Sequence, residues 1–188
     1  MSKSIAVVTY PRSGSTYLSW LLSLSFNQKV DKFHLDKDGQ LESLDSYGYT
    51  ITTVRDPIDS ISSIVTMESF YFRNDQDFNL YVNDAIKKRI KEYVEFYSNA
   101  IKLVDTFFDY NSINTQRHQL VEYVAEKTNS KILNRNYLDL VKDEPKNNFL
   151  RSSQKSSEYK DIRSILNYYD LSSCFDIHNE GMRLTVDL

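Results

Sequence analysis

The residues with the clearest chemical potential lie near the start of the chain, in the segment IAVVTYPRSGSTYL at 5–18. An apolar run ends at Pro11, and a turn of small residues with one arginine, Arg12, leads into a run with helical spacing. The first N–H groups of a helix are unpaired, and the helix dipole favours negative charge there. The segment therefore predicts a binding site for a phosphate or sulfate group.

The residue types in this turn suit an anion. Gly14 lets the backbone approach a ligand closely, in a chain with only four glycines. Ser13, Ser15 and Thr16 add small polar donors, and the guanidinium of Arg12 can bind a phosphate or sulfate with two N–H groups. The pattern G-x-x-x-x-G-K-[ST] is absent, which disfavours hydrolysis of ATP or GTP. The alternative interpretation is a serine-rich helix start beside a surface arginine.

A second polar cluster lies in VRDPIDSISS at 54–63. Arg55 ends a predicted strand, Pro57 suits the first turn of a helix, and Ser63 lies two turns into that helix. Ligands of parallel sheets bind outside the carboxyl ends of the strands, where Arg12 and Arg55 are both expected. A capped helix start explains the proline and the acidic residues, but not the spacing of arginine and serine.

Patterns of apolar residues predict the elements that must position these side chains. Short β-branched runs predict strands, and apolar residues at i+3 and i+4 spacing predict helices. The predicted strands cover 4–9, 29–34, 49–55 and the start of 131–140. The predicted helices cover 15–26, 57–67, 78–108, 117–127 and, as the last one, 158–169. Their alternation predicts a three-layer α/β fold with a mainly parallel sheet, as a single domain over 1–188.

Composition excludes several classes of protein. The chain of 188 residues is 40% hydrophobic and 26% charged, and a mean hydropathy of -0.51 favours a soluble protein. We expect no membrane span and no signal peptide, and hence a cytoplasmic location. A net charge of -3 disfavours a nucleic-acid binder. The single cysteine, Cys174, forms no internal disulfide and is expected to be a buried structural thiol.

Both polar segments resemble motifs of the sulfotransferase family. TYPRSGSTYL is similar to the 5′-phosphosulfate loop, with the arginine that protein-tyrosine sulfotransferases and several bacterial relatives have. VRDPIDSISS is similar to the 3′-phosphate motif, matched by Arg55, Pro57, Asp59 and Ser63. The resemblance implies a shortened P-loop-like sulfotransferase fold and, as sulfuryl donor, 3′-phosphoadenosine 5′-phosphosulfate (PAPS), with no metal. It implies donor contacts from Arg12, Ser13, Gly14, Ser15, Thr16, Tyr17, Arg55 and Ser63, with Tyr17 stacking on the adenine.

Two later segments resemble the family less closely. NYLDLVKDEP at 136–145 is similar to a segment that follows a core strand, and it implies that Tyr137 lies near the adenine. Leu138 stands where the family has a glutamate. The polar segment 151–160 has the character of a loop that closes over the donor, although a solvated loop is the alternative. Its candidate phosphate ligands are Arg151, Ser153, Lys155 and Lys160, of which we assign Lys155 to the donor site.

Sulfuryl transfer requires in-line placement, stabilisation of charge and a base for the acceptor hydroxyl. The family uses histidine or glutamate as that base, and the equivalent region here is 30–38. His34 is the first candidate, because its unperturbed pKa of about 6.5 suits a base near neutral pH. Asp36 and Glu42 are rivals, and a structural His34 is the alternative. Arg12 is expected to stabilise charge on the transferred group.

Three functions follow from these motifs: a PAPS-dependent sulfotransferase, a non-catalytic module that binds the nucleotide, and another P-loop phosphotransferase. The motifs are compatible with a carbohydrate, a peptide tyrosine, a lipid or a small alcohol as acceptor, and they leave the oligomeric state open. His118 and His178 lie outside the motifs, and we assign them structural roles.

Overall fold

The computed structural model describes residues 3–34, 44–69, 78–135 and 156–188. In this part of the chain, four strands, β1 to β4, cover Ile5–Val8, Val30–Phe33, Tyr49–Val54 and Thr106–Asp109. Seven α-helices, α1 to α7, cover Ser15–Phe26, Pro57–Ser69, Phe78–Leu103, Ser112–Thr115, Arg117–Thr128, Ser157–Leu166 and Ser172–Arg183. A 3₁₀ turn at Leu44–Ser46 precedes β3. Within the described ranges, no helix has the length and apolar character needed to cross a membrane.

The four strands form one parallel sheet in the order β2-β1-β3-β4. Ile5 of β1 lies opposite Val30 of β2 on one side and opposite Tyr49 of β3 on the other. All four residues of β1 are fully buried, as is usual for a central parallel strand whose two faces are both covered by helices. The α/β class and the parallel sheet are confirmed.

Helices cover both faces of the sheet. Successive side chains of a strand point to opposite faces, so Ile5 and Val7 pack on one side and Ala6 and Val8 on the other. The first face carries buried residues of α1, α4 and α5, and the second carries those of α2, α3, α6 and α7. This arrangement agrees with the predicted three layers.

The strand order creates a crevice between β1 and β3. After β1 the chain forms β2 on one side of β1, and it later forms β3 on the other side of β1. Ligands of open parallel sheets bind at such a switch point, outside the carboxyl ends of the two strands. Arg12 follows β1 and Arg55 follows β3, so both arginines lie at this crevice.

The predicted helix over 78–108 is wrong at its C-terminal end. The helix α3 stops at Leu103, and the next residues form β4, with Thr106 opposite Ile51 of β3. The helical apolar spacing continues to Val104, but the β-branched and aromatic residues that follow are those favoured in strands. Asp105 fixes the change of direction, because its Oδ2 accepts hydrogen bonds from the backbone N–H (2.7 Å) and the hydroxyl (2.8 Å) of a β3 threonine, Thr50.

The predicted strand at the start of 131–140 is also wrong in its described part, because residues 131–135 have no strand partner there. Instead, the N–H of Leu133 donates to the carbonyl of Ser25 at 2.9 Å. Ser25 belongs to the last turn of α1, where carbonyl groups lack an intrahelical partner. The segment therefore caps a helix rather than extending the sheet. Residues 136–140 lie outside the described part.

The predicted last helix is α6, which ends at Leu166, and a further helix, α7, follows it. The helix α7 packs on the sheet through its small residues. A side chain at Gly181 would begin 3.3 Å from Val54 of β3. Cys174 is buried in this layer, and burial raises the pKa of its thiol to about 11, which suits the structural role predicted for it.

Candidate anion-binding site

The connection from β1 to α1 has an unusual backbone. Arg12 and Gly14 both adopt left-handed conformations, with φ of 67° and 83°. The loop starts with a hydrogen bond from the N–H of Thr9 to the carbonyl of Phe33 (3.0 Å). A left-handed backbone at a residue such as arginine is costly, and residues with this strain cluster at functional sites. Turns of this kind direct successive N–H groups into a concavity that binds anions.

Gly14 is the N-cap of α1 and is required there for two reasons. Its φ of 83° is unfavourable for any residue with a side chain. A Cβ atom would also lie 3.0 Å from Cε2 of Tyr110 and 3.2 Å from Cδ1 of Ile113. A glycine N-cap has no side chain to cap the helix. The first N–H groups of α1 thus receive no cap from this residue and suit an anion.

Side chains at the end of β3 and directly after it hold the carbonyl groups of this loop. The hydroxyl of Thr53 donates to the carbonyl of Ser13 at 2.5 Å, and Nη1 of Arg55 donates to the carbonyl of Arg12 at 2.5 Å. The loop is therefore fixed to the neighbouring strand through its acceptors. The N–H of Ser13 also donates within the loop, to the carbonyl of Tyr10 at 3.2 Å, so the first N–H groups of α1 are the part of the backbone suited to a ligand.

The two arginines and Ser63 form one cluster across the crevice. Nε of Arg12 donates to Oγ of Ser63 at 3.1 Å, although 51 positions separate them. Arg55 is only 5% exposed, and its guanidinium lies 4.5 Å from the ring centre of Tyr110. Burial lowers the pKa of Arg12, and the positive charge of Arg55 lowers it further.

In the part of the chain that the structure describes, no carboxylate supplies the counter-charge that the buried Arg55 requires. Within the same ranges, the buried Nη2 of Arg55 has no hydrogen-bond partner. Buried charges are normally paired, because transfer of an isolated ion out of water costs several kcal/mol. An anionic ligand would supply the missing charge to this cluster.

The edge strand β2 adds two more functional groups. Nδ1 of His34 lies 2.7 Å from the carbonyl oxygen of Thr9. Because a carbonyl only accepts, Nδ1 is the donor of this hydrogen bond, and in the neutral imidazole the lone pair then lies on Nε2. Two positions earlier on the same face, Nζ of Lys32 donates to the hydroxyl of Thr16 at 3.0 Å, in the first turn of α1.

Sequence reasoning missed Lys32 and Tyr110. Lys32 stands two positions before His34, and this alternation was a signal that both side chains share a face. Tyr110 was hidden by the prediction that α3 continues to 108. In the structure Tyr110 follows β4, and its N–H donates to the carbonyl of Val54 at 2.9 Å. It lies against both Gly14 and Arg55.

The remaining predicted residues fall into two groups. Ser13 in the loop and Ser15 at the start of α1 are buried, and Thr16 is exposed. Tyr17 packs on the same apolar cluster as Tyr110. Lys160 is exposed on α6. The predicted site residues that lie outside the described part are Asp36, Glu42, Tyr137, Arg151, Ser153 and Lys155.

The two other histidines differ in their surroundings. His118 is exposed on α5. His178, on α7, is half-buried, and its Nδ1 lies 3.3 Å from the hydroxyl of Tyr93. Burial lowers the pKa of His178, whereas the nearby carboxylates of Asp56 and Asp109 act in the opposite direction.

Fold and site together define an α/β protein with a parallel sheet and a cationic, donor-rich crevice at the switch point of that sheet. No protein-family model and no curated protein sequence matches the chain. In the described ranges, no group of three or more His, Cys, Asp or Glu side chains is placed to hold a metal ion. Arg12, Arg55, Ser63 and the N-terminus of α1 lie together and have the chemistry that suits an anion.

Proposed function

We propose that this chain is a sulfotransferase that moves the sulfuryl group of PAPS to an acceptor hydroxyl, on a shortened P-loop-like sulfotransferase fold. One observation carries the proposal: two segments far apart in the chain meet, through Arg12 with Ser63 and Arg55 with the carbonyl of Arg12. The family resemblance assigns these residues to the two ends of one nucleotide.

The two halves of the site take different groups of the donor. The loop at 9–14 and the first N–H groups of α1 bind the 5′-phosphosulfate, with Lys32 beside them. Arg55 and Ser63 bind the 3′-phosphate, because a planar guanidinium matches phosphate oxygens in pairs. Tyr17 and Tyr110 are the rings that the described site offers to the adenine.

His34 is the proposed base. Its Nε2 takes the proton of the acceptor hydroxyl as the acceptor oxygen forms its bond to sulfur. The bond between sulfur and the 5′-phosphate oxygen breaks, and its electron pair leaves on adenosine 3′,5′-bisphosphate. Arg12 and Lys32 offset the negative charge that develops on the transferred group and on the leaving oxygen.

Calorimetry with adenosine 3′,5′-bisphosphate tests the donor site. We expect micromolar binding by the parent chain and a loss of about 10- to 100-fold in Arg55→Ala, the effect of removing a charge-assisted hydrogen-bonding group. Arg135→Ala is the matched control, because Arg135 is exposed and its ion pair with Glu122 (3.0 Å) lies at the surface. Absence of binding at high micromolar ligand would refute the proposal.

A screen of acceptor hydroxyls with PAPS tests the catalytic step. We expect His34→Ala to keep the affinity for the bisphosphate and to lose sulfuryl transfer. Binding of the bisphosphate without transfer to any acceptor class would favour a non-catalytic binding module. Turnover of ATP with magnesium, in place of bisphosphate binding, would favour another P-loop phosphotransferase.

A further inference from the structure

The strand β3 extends further than its neighbour β1. The two strands pair from Ile5 with Tyr49 to Val7 with Ile51, after which β1 gives way to the loop. On the other side of β3, pairing with β4 continues to Val54, whose carbonyl then accepts from the N–H of Tyr110. Carbonyl groups alternate in direction along a strand, so those of Thr53 and Arg55 face the side from which β1 has departed.

Two buried tyrosine hydroxyls bind the carbonyl groups of β3 that β1 does not reach. The hydroxyl of Tyr97 donates to the carbonyl of Thr53 at 2.8 Å, and that of Tyr93 donates to the carbonyl of Arg55 at 2.7 Å. Both tyrosines are fully buried and lie one helical turn apart on α3. One helix face thus supplies consecutive donors to alternate carbonyls of the extended strand.

These hydroxyls have no role in apolar packing. The rings of Tyr93 and Tyr97 pack against each other with centroids 4.7 Å apart, which phenylalanine would reproduce. Burial raises the pKa of Tyr97 to about 12 and that of Tyr93 above its ordinary value, so both remain donors at neutral pH. Burial of a hydroxyl lowers the stability of the fold unless the hydroxyl forms a hydrogen bond that offsets its loss of hydration.

The two carbonyls belong to the residues that hold the anion-binding loop. Thr53 uses its hydroxyl to hold the carbonyl of Ser13, and Arg55 uses its guanidinium to hold the carbonyl of Arg12. A shift of the β3 end would therefore move both contacts together. Displacements of about 1 Å at a ligand site change binding and catalysis strongly.

We propose that Tyr93 and Tyr97 are positioning residues of the anion site: their hydroxyls fix the end of β3 and so place the Arg55 guanidinium. The effect on ligand affinity rests on the proposed donor site, whereas the effect on Arg55 itself does not. Tyr93 and Tyr97 are proposed to touch no ligand and to act through the end of β3.

Single hydroxyl deletions test the proposal, with Tyr49→Phe as a matched control. Tyr49 begins the same strand at the opposite edge of the sheet, is buried, and shares a hydrogen bond with the hydroxyl of Thr106 at 2.5 Å. All three variants keep the ring, and thermal unfolding checks that each is folded. We expect Tyr93→Phe and Tyr97→Phe to weaken adenosine 3′,5′-bisphosphate binding about 10-fold, and Tyr49→Phe to change it less than about two-fold.

A second readout is independent of the ligand. Solvent exchange of the Arg55 guanidinium protons, followed by ¹⁵N NMR of the ligand-free chain and assigned with Arg55→Lys, is expected to accelerate in Tyr93→Phe and Tyr97→Phe only. If the parent chain fails to bind the bisphosphate, the donor assignment is wrong and this exchange experiment decides the positioning role. Exchange in both variants equal to that in Tyr49→Phe would overturn the inference, as would equal bisphosphate affinities.

Discussion

The two halves of the site bind anions by different means. The β1–α1 loop relies on its backbone, with left-handed residues at Arg12 and Gly14 and a helix N-terminus. The β3–α2 junction relies on side chains, with Arg55 only 5% and Ser63 only 1% exposed. The first half is therefore sensitive to changes of backbone conformation, and the second to changes of side-chain chemistry.

The largest effect is expected from Gly14→Ala, which changes the backbone conformation of the β1–α1 loop. The variant must hold alanine at φ 83° and place its Cβ 3.0 Å from Tyr110. We expect a loss of about 1–3 kcal/mol in the free energy of unfolding, measured by urea denaturation, and loss of measurable bisphosphate binding. Unchanged stability together with unchanged affinity would show that the loop does not depend on this conformation.

Arg12→Gly separates strain from binding in the same loop. Glycine relieves the left-handed strain at φ 67° but removes the guanidinium. We expect stability that is equal or higher by up to about 1 kcal/mol, with bisphosphate affinity reduced at least about 10-fold. A clear loss of stability would mean that Arg12 is held for the fold rather than for the ligand.

The pH dependence of the free energy of unfolding examines the side-chain half of the site, because His178 lies next to Arg55. The pKa of His178 is lowered from its unfolded value of 6.5, chiefly by burial, so between the two values the unfolded chain binds more protons. Stability contributed by neutral His178 is complete above pH 6.5 and declines as the pH falls through that value towards the folded-state pKa. Urea denaturation between about pH 5 and 7.5 is expected to show this decline.

Two histidine variants assign that pH dependence. His178→Gln should flatten the dependence, whereas His118→Gln, at an exposed position on α5, should retain it. In the described part of the chain, the groups that face His178 are the Tyr93 hydroxyl, the backbone carbonyl of Arg55 and the carboxylates of Asp56 and Asp109. A slope that survives in His178→Gln would assign the decline to another group.

The smallest effect is expected where α6 meets α2. Oδ1 of Asp59 accepts from the hydroxyl of Tyr159 at 3.0 Å and from the guanidinium of Arg163. The Arg163 side chain is 48% exposed, so this ion pair is screened by solvent. We expect Arg163→Gln to lower the free energy of unfolding by less than about 1 kcal/mol and to leave bisphosphate affinity within about two-fold. A larger loss of affinity would extend the site to α6.

Local patterns were sufficient to predict the elements that carry the two motifs. The strands β1 and β3 and the helices α1 and α2 lie where their apolar spacing placed them, within two residues at each end. The turn residues of these elements, Pro11, Gly14 and Pro57, mark their limits in the sequence itself. The predicted meeting of Arg12 and Arg55 also needed only the rule that ligands lie at the carboxyl ends of parallel strands.

The parts that were missed depend on contacts between distant residues. The apolar spacing of α3 continues to Val104, close to the start of β4, and the helix ends there because β4 pairs with the distant strand β3. The position of Lys32 beside Thr16 follows from β2 lying next to β1, which sequence spacing does not specify. Tyr93 and Tyr97 looked like ordinary core residues of a helix, because the carbonyls that their hydroxyls bind become available only where β1 ends.

A ligand cycle tests the central claim, that the crevice is a clamp for a nucleotide with phosphates at both ends. The affinities of adenosine 3′,5′-bisphosphate and adenosine 5′-monophosphate are measured by calorimetry for the parent chain and for Arg55→Ala. We predict that the parent prefers the bisphosphate by about 100-fold and that Arg55→Ala loses most of this preference, with a smaller loss of affinity for the monophosphate because Arg55 also holds the carbonyl of Arg12. Equal affinity of the parent for the two nucleotides, or a preference that persists in Arg55→Ala, would contradict the assignment of Arg55 to the 3′-phosphate.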